Sequence, residues 1–531
     1  MAPASLLYLY ARDYAPMAIL ATVVAYYILQ TYRKYLQLQH IPGPSGVGWT
    51  KWWLAKHQGR GNLCCDLEEV AYKHGPIARI APDWVLVSDP SEIRRIWSVH
   101  SGYRRSDWYR GFRFDPNRDS LLTASNNKEH HAIRLKLLQG YGGKGLGDQE
   151  IPVDKAVLAF IELIDREYLT TTDSTNGHVT PRPMDGARVF LYFSQDVNSA
   201  IEFGEPFGYM QMNSDFNGII EAFEMMMGAT NVMALFPPLL WLIKSPLVKP
   251  LLPKPTDKTG VGRLLGIVQE KVQQRYREIE NNENVNRPRD VLQSFVTSSL
   301  SPTEVEAEAL VHLLGGTDTT AAALRTTIFY LSVKPTAYNT LRAEIDAFFK
   351  AGKATRPVIT DTEAKSLPYL QAVIKEGLRI WPPITGLMAK SSEKDDIICG
   401  KKIPAGTHVA WAALAVMRNK ELFGEDAQQF EPGRWIAAAK EAKKEGQEGE
   451  AARTRLKEME SVQSMVFVMG SRWECLGRRL ALMEMGKVLF ELLLRYDFAI
   501  ADPVKPFQWW NYGFTIHEKM NFIVTKRDIP L

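Results

Sequence analysis

Apolar residues recur at helical spacing along several long stretches of the chain, and this periodicity constrains the fold more than any other feature. The stretches are residues 154–168, 215–234, 260–281, 303–332 and 476–495. In each of them the spacing places apolar side chains on one face of a helix. Short β-rich patches lie between them, and "PIARIAPDWVLVSDP" alternates in the way that predicts a hairpin. We therefore expect a mainly α fold with small β-sheets, of the α+β class.

Composition excludes several classes of protein. With 531 residues, of which 45% are apolar, the chain can bury a core larger than that of a typical domain of about 150 residues. A net charge of +4 is too small to indicate a nucleic-acid partner. The four cysteines form no CxxC pair, so neither a disulfide framework nor a zinc site is supported, and a reducing cytosolic compartment fits best.

The N-terminus differs in character from the rest of the chain. Residues 15–32 carry no charge and, at 1.5 Å per residue, reach about 27 Å, which is just enough to cross a bilayer. A cleaved signal peptide is the alternative, but no basic region precedes the segment and no small-residue cleavage site follows it. The sequence thus predicts a transmembrane anchor with residues 1–14 in the lumen, because the basic residues directly after it favour a cytosolic remainder.

A basic, proline-rich hinge over 33–46 follows the anchor and includes "HIPGPSG", whose prolines stiffen it. The remaining residues, 47–531, form the predicted globular domain. Within that domain, residues 437–460 are almost entirely Ala, Lys, Glu, Arg and Gly with no apolar stripe. They are predicted to be a charged, solvated surface insertion, and a charged helix that binds a partner is the alternative.

Cys475 lies between a turn-rich loop and an amphipathic helix, in "VFVMGSRWECLGRRLALMEMGKVLFELL". A thiolate at the start of a helix is stabilised by free backbone N–H groups and by the helix dipole, which makes it a good metal ligand. An isolated cysteine is more often a small buried apolar residue. Other motifs are needed to decide between these interpretations.

The stretch "HLLGGTDTTAAAL" places Gly315 and Gly316 inside a predicted helix, where each costs about 1 kcal/mol relative to alanine. Asp318 and Thr319 then introduce a carboxylate and a hydroxyl. A threonine that bonds back to a carbonyl one turn earlier helps to open the helix, so the motif suits a proton relay beside a ligand. A bent helix with satisfied polar groups is the alternative.

Two further motifs indicate a buried polar network. In "KEGLRIWPP", Glu376 and Arg379 lie three residues apart on one helix face among apolar neighbours. In "FEPGRW", the Pro-Gly turn presents the planar, multi-donor side chain of Arg434. Arg434 could complete a structural network with Glu376 and Arg379.

In this order and spacing, the four motifs resemble those of the cytochrome P450 family of haem-thiolate monooxygenases. The resemblance extends from the anchor to the last strand. The phrases "LFGEDAQQFEPGRW" and "ECLGRRLALMEMGKVLFELLLRYDF" look most like the membrane-bound fungal members, particularly the pisatin-demethylase-like and secondary-metabolism branches. The resemblance implies the cytochrome P450 fold with an N-terminal transmembrane helix.

The resemblance also implies roles for individual residues. Cys475 would be the proximal ligand of the haem iron, with Gly477 in its usual place two residues on. Asp318 and Thr319 would deliver protons during oxygen activation, and Gly315 and Gly316 would let the helix pass close over the haem.

The haem propionates are the implied partners of His130 and Arg134, which occupy the spacing of the family's Trp and Arg, although "HHAIR" also suits an exposed helix turn. The cysteine loop departs from the family pattern. Phe467, Gly470 and Arg472 each sit one residue further from Cys475 than usual. Either the loop carries an extra residue, which leaves Arg472 as a propionate partner, or Ser471 and Trp473 replace the glycine and the arginine.

The implied function is insertion of one oxygen atom from O₂ into a lipophilic small molecule, with electrons from NADPH through a membrane-bound reductase. The enzyme would be a single-pass protein of the endoplasmic reticulum membrane, with its catalytic domain facing the cytosol. A haem-thiolate isomerase and a non-catalytic haem sensor are the rival functions, and neither needs the relay. Apolar residues that would line the substrate pocket, or else belong to the core, are Trp108, Phe112, Leu314, Leu387, Met388 and Phe514.

Overall fold

The computed structural model describes residues 3–115, 118–143, 147–172, 179–243, 245–281 and 290–528. Helices account for most of these residues. In chain order they are α1 Pro3–Leu38, α2 Trp52–Gly59, α3 Leu63–His74, α4 Pro90–Trp97, α5 Asn127–Gly142, α6 Glu150–Leu163, α7 Gly186–Phe203, α8 Tyr209–Met212, α9 Ile219–Ala234, α10 Pro237–Ile243, α11 Gly260–Glu280, α12 Val291–Val296, α13 Pro302–Val333, α14 Pro335–Lys350, α15 Asp361–Lys365, α16 Pro368–Ile380, α17 Ala413–Met417, α18 Lys420–Phe423, α19 Gly433–Glu441, α20 Gly446–Ser464 and α21 Arg478–Arg495.

The strands are short. They are β1 Ile77–Ala81, β2 Trp84–Val87, β3 Arg104–Arg105, β4 Thr171–Thr172, β5 Val179–Thr180, β6 Met184–Asp185, β7 Lys390–Ser391, β8 Asp396–Ile398, β9 Lys401–Ile403, β10 His408–Trp411, β11 Tyr496–Ile500, β12 Gln508–Asn511, β13 Thr515–Glu518 and β14 Asn521–Lys526. Short 3₁₀ and π-helical turns occur at Asp107–Phe112, Ile164–Tyr168, Lys249–Leu251 and Met465–Phe467.

The main sheet has the strand order β1-β2-β10-β7-β3, in which β10 runs parallel to β2 and the other pairs are antiparallel. A second sheet has the order β11-β14-β6, and three hairpins pair β12 with β13, β4 with β5 and β8 with β9. Residues far apart in sequence meet in the main sheet, because Arg105 on β3 lies opposite Lys390 on β7. This pairing determines the chemistry of the site described below.

Helix α13 runs through the centre of the largest apolar core and packs most extensively against α7. Its start is fixed by a capping box, in which the Ser301 hydroxyl accepts the Glu304 N–H and the Glu304 carboxylate accepts the Ser301 N–H. Helix α21, which follows Cys475, packs against α13, α16 and α6. The helix with the Asp-Thr motif and the helix behind the cysteine therefore share one core.

The helical stretches predicted from periodicity are confirmed as α6 with its π turn, α9, α11, α13 and α21. The predicted hairpin is β1 and β2, which pair antiparallel. The charged segment 437–460 is helical for most of its length, divided between α19 and α20. Met459, near the end of this segment, is buried in an apolar cluster.

The N-terminal helix α1 continues well beyond the uncharged segment 15–32 on both sides. It includes the charged residues Arg12, Asp13, Arg33 and Lys34. Among the residues that the structure describes, no helix is both long and apolar enough to cross a bilayer. The predicted transmembrane helix is therefore not supported.

Candidate active site

Cys475 stands at the end of a loop that leads into α21. Its backbone N–H donates to the carbonyl of Phe467 at 2.9 Å, which closes the loop. Burial raises the pKa of the thiol. The sulfur accepts hydrogen bonds from the backbone N–H groups of Gly477 and Arg478, and these hydrogen bonds oppose that shift. The Cys475 side chain has solvent-accessible surface, although it is surrounded by protein atoms. It therefore lines an internal cleft. A thiolate held in this way is suited to bind a metal ion.

The geometry of the loop bears on the two alternatives for its sequence. Gly470 adopts a left-handed conformation with φ of +74°, which favours glycine. Arg472 donates to the carbonyl of Ser101 at 3.2 Å and to that of Val99. The ring of Trp473 is buried, with the Lys390 ammonium 4.1 Å from its centroid. This favours the first alternative, in which Gly470 and Arg472 keep their roles and the loop is one residue longer.

Cationic side chains converge on buried His130. Burial, together with the smaller effect of the charges of Arg105, Arg134, Lys390 and Arg472, lowers the pKa of His130 to about 2. Arg134 also donates to the carbonyl of Glu474 at 2.6 Å, so this cluster is next to Cys475. The structure thus brings the predicted residues His130, Arg134 and Arg472 together, and it adds Arg105 and Lys390.

The cationic cluster contains hydrogen-bond donors that have no acceptor among the described residues. Within the described part of the chain, Arg105 Nε, Arg472 Nε and Lys390 Nζ are buried without a hydrogen-bond partner. Burial lowers the pKa of Lys390 well below its usual value. Leaving buried cations without anionic partners is costly, so the cluster fits an anionic group such as the two propionates of haem. The thiol and the cationic cluster together meet the requirements of that cofactor.

Helix α13 passes the cleft with its glycine-rich segment. Gly315 is exposed inside an otherwise buried helix, and the Thr319 hydroxyl donates to its carbonyl at 2.7 Å, as the sequence predicted. Gly316 faces the other way, since a Cβ atom there would lie 2.3 Å from Asn198 Oδ1 on α7. The prediction that both glycines face the cofactor is therefore wrong for Gly316, which instead permits close packing of α13 on α7.

Asp318 lines a small recess between α13, α7 and α9, together with Leu314 and Phe223. The pKa of its carboxyl group is raised to about 7, mainly by burial and also by the nearby carboxylate of Glu224, against the opposing effect of Arg325 and Arg188. A carboxyl group with such a pKa can give up or accept a proton near neutrality.

The predicted network around Glu376 is present. Its carboxylate accepts hydrogen bonds from the guanidinium group of Arg379 at 2.7 and 2.9 Å, from that of Arg434 at 3.0 Å and from the indole N–H of Trp435 at 2.9 Å. Glu376 and Arg379 are fully buried. Arg379 also donates to the main-chain carbonyls of Met417, Ala427 and Gln429. The network ties α16 to the segment before α19 and so supports the cysteine side of the fold.

We expect Glu376→Gln to lower the free energy of unfolding by about 3 kcal/mol, because it leaves the buried guanidinium group of Arg379 without a counter-charge and removes one of the two carboxylates that pair with Arg434. Chemical denaturation of the purified variant measures this. The matched control is Glu460→Gln, which breaks a surface pair with Lys375 (2.6 Å) and is expected to cost less than about 1 kcal/mol. Equal stability losses in the two variants would contradict a special role for the buried network.

The residues predicted to line a substrate pocket divide into two groups. Leu387 is fully buried and Trp108 nearly so, both within an apolar cluster, so they are core residues. Phe112, Leu314, Met388 and Phe514 are half-buried. Phe223, which the sequence did not suggest, stacks on Phe514 with 5.9 Å between ring centroids and joins it to Leu314.

The helical fold, with a helix-capped thiol and a cationic cluster suited to propionates, defines the class of haem-thiolate proteins. The family model for cytochrome P450 matches residues 42–524. The chain belongs to the cytochrome P450 family.

Curated relatives cover almost the whole chain. The cytochrome P450 monooxygenase ABA1 of Pyricularia oryzae is 32% identical over 515 residues, which are 96% of each protein. The monooxygenase aba1 of Botryotinia fuckeliana is 31% identical over 494 residues, 92% of each. The monooxygenase abl1 of Leptosphaeria maculans is 31% identical over 490 residues, 90% of this chain and 81% of that protein. The chain is accordingly a haem-thiolate monooxygenase that uses haem and O₂.

Proposed function

We propose that this monooxygenase oxidises a lipophilic small molecule, an intermediate of fungal secondary metabolism, with electrons from NADPH through a membrane-bound flavoprotein reductase. We infer the substrate class from three half-buried apolar side chains beside the glycine-rich segment of α13, which are Leu314, Phe223 and Phe514. Such a lining favours an apolar ligand. The similarity to fungal monooxygenases supports a substrate from fungal secondary metabolism.

Each group at the site has a role in this proposal. Bound haem supplies the activation of O₂. Cys475 would hold the iron through its sulfur, and the N–H groups of Gly477 and Arg478 would stabilise the thiolate. Arg105, Arg134, Lys390 and Arg472 would pair with the propionates. Asp318 stores a proton, and the Thr319 hydroxyl positions it at the reacting oxygen.

A reductase partner is expected to dock near the cysteine side of the fold. Arg478 and Arg479 begin α21 directly behind Cys475, and Arg479 is exposed. An acidic surface on the reductase would complement this charge. Solvated arginines without a partner are the alternative.

The reaction is tested by incubating membranes that contain this chain and a fungal reductase with extracts of the producing organism. We expect NADPH-dependent formation of a product heavier by about 16 mass units, the mass of one oxygen atom. Matched membranes without the chain are the control. Product formation that needs neither NADPH nor O₂ would contradict the proposal and favour an isomerase.

We further propose that α1 attaches the enzyme to the endoplasmic reticulum membrane, with the catalytic domain facing the cytosol. Its side chains between residues 17 and 29 include a series of exposed large apolar groups. Exposed apolar surface of this extent is typical of a membrane contact. Near its end the helix contacts the body of the protein, where Lys34 pairs with Asp83 at 2.7 Å.

Deleting residues 1–33 is expected to move most of the protein from the membrane fraction to the supernatant, because the deletion removes the exposed apolar side chains and retains the Lys34–Asp83 pair. Centrifugation of cell extracts measures the distribution, and the haem spectrum of the released protein checks its folding. If all of the truncated chain stayed with the membranes, another surface would have to be responsible for the attachment.

A further inference from the structure

A buried amide on α7 points into the recess that Asp318 lines. Gln195 is 2% exposed, and its Oε1 lies 2.8 Å from the Thr317 hydroxyl oxygen, whose single proton is shared between this amide and the Leu313 carbonyl at 2.7 Å. Within the described residues, its Nε2 is buried without a hydrogen-bond partner. Because leaving a buried amide donor without a partner is destabilising, this donor requires an acceptor in the recess.

The recess has room for about one water molecule and is lined by Gln195, Thr317 and Asp318 on its polar side. Its other side is apolar and includes Ile220 and Phe223 of α9. A buried water needs polar partners, and the amide N–H of Gln195 and the carboxyl group of Asp318 supply a donor and an acceptor. An apolar occupant would leave both of them unsatisfied.

We propose that Gln195 is a positioning residue for proton delivery, and that its side-chain amide holds a water molecule against the carboxyl group of Asp318. The amide N–H donates to the water oxygen, and the water donates to the carboxylate. The Thr317 hydroxyl fixes the orientation of the amide. This inference rests on the proposed proton-delivery role of Asp318.

The recess has a charged outer side. Arg188 on α7 donates to Glu224 on α9 at 2.7 Å, and the Arg188 side chain is 26% exposed. The charged groups that act on Asp318 are Glu224 from α9, Arg188 from α7 and Arg325 from its own helix. The Arg188–Glu224 pair thus acts electrostatically on Asp318 and, through the Arg188 side chain, also reaches solvent.

Two substitutions are expected to shift the ionisation of Asp318 in opposite directions. Gln195→Met removes the water and its hydrogen bond to the carboxylate, so the carboxyl group should lose its proton at higher pH, by about one pH unit. Glu224→Gln removes a neighbouring negative charge, so Asp318 should lose its proton at lower pH. Ser194→Ala, which changes the adjacent buried residue of α7, is the matched control and should leave the titration unchanged.

The measurement is an infrared titration of the purified holoenzyme without substrate, in which the band that disappears in Asp318→Asn reports the protonated carboxyl group. A crystal structure of the wild-type enzyme should show a water within hydrogen-bond distance of Gln195 Nε2 and Asp318, and one of Gln195→Met should not. If Gln195→Met fails to fold, Thr317→Val tests the same site by releasing the amide.

An unchanged titration midpoint in Gln195→Met would overturn the proposal, and the same holds for Thr317→Val where that variant replaces it. A wild-type crystal structure without a water molecule in the recess would also overturn it. Because the titration requires no turnover, its result is independent of whether the proposed substrate class is correct. Normal coupled turnover in Gln195→Met, despite a shifted titration of Asp318, would instead count against the proton-delivery role of Asp318 itself.

Discussion

Cys475→Ser is expected to abolish the long-wavelength carbon-monoxide difference band of the reduced protein, together with all monooxygenase activity. The thiol is the predicted metal-binding group at the start of α21, and two backbone N–H groups donate to its sulfur. A serine hydroxyl keeps the shape but remains protonated near neutrality, so it is a far poorer anionic ligand. The measurement is the difference spectrum of detergent-extracted protein.

The matched control is Cys399→Ser. Cys399 lies in the turn between β8 and β9, where its sulfur donates to the carbonyl of Pro76, at 3.9 Å, and it packs against an apolar cluster. This variant should keep the band and the activity. A normal band in Cys475→Ser would remove the residue from the iron and with it the whole assignment of the site.

Local sequence was sufficient to predict the parts of the site that one short segment provides. Cys475 and the start of its helix are contiguous, so the capping N–H groups follow from the spacing alone. Glu376 and Arg379 share a helix face, and only the position of Arg434 depended on the fold. Helical periodicity likewise located the long helices, because each of them buries one face.

The residues that sequence did not suggest depend on contacts between distant segments. Arg105 and Lys390 meet because β3 pairs with β7, and neither segment carries a local signal of that register. Gly316 faces α7 rather than the cleft, which only the rotation of α13 decides. Gln195 reaches Thr317 through the packing of α7 on α13, so no spacing within either helix predicts it.

Thr319→Ala is expected to lower the amount of product formed per NADPH consumed by a factor of about 10² to 10⁴, the usual contribution of a positioned proton donor. The Thr319 hydroxyl donates to the Gly315 carbonyl at 2.7 Å, so it is held beside the cleft but is not needed to bind the iron. The variant should keep the haem spectrum and still consume NADPH, with the electrons appearing in peroxide or water. Thr319→Ser, which keeps the hydroxyl, is the matched control.

The dependence on pH separates the two members of the relay. With a pKa of about 7, Asp318 is protonated below neutrality and ionised above it. A proton donor acts in its protonated form, so the product formed per NADPH should fall as pH rises through about 7 in the wild-type enzyme. In Asp318→Asn the yield should be low at every pH and should not show this step.

These profiles also decide between the monooxygenase and its rivals. A haem-thiolate isomerase consumes no NADPH and needs no external proton at the reacting oxygen, so Thr319→Ala would leave its turnover intact. Full coupling in both Thr319→Ala and Asp318→Asn would remove the relay from the mechanism. The monooxygenase predicts loss of coupling in both variants, an unaffected Thr319→Ser and a pH step that is absent only in Asp318→Asn. This pattern requires a hydroxyl and a titrating carboxyl group that act in series. A haem sensor or an isomerase has no reason to maintain such a pair.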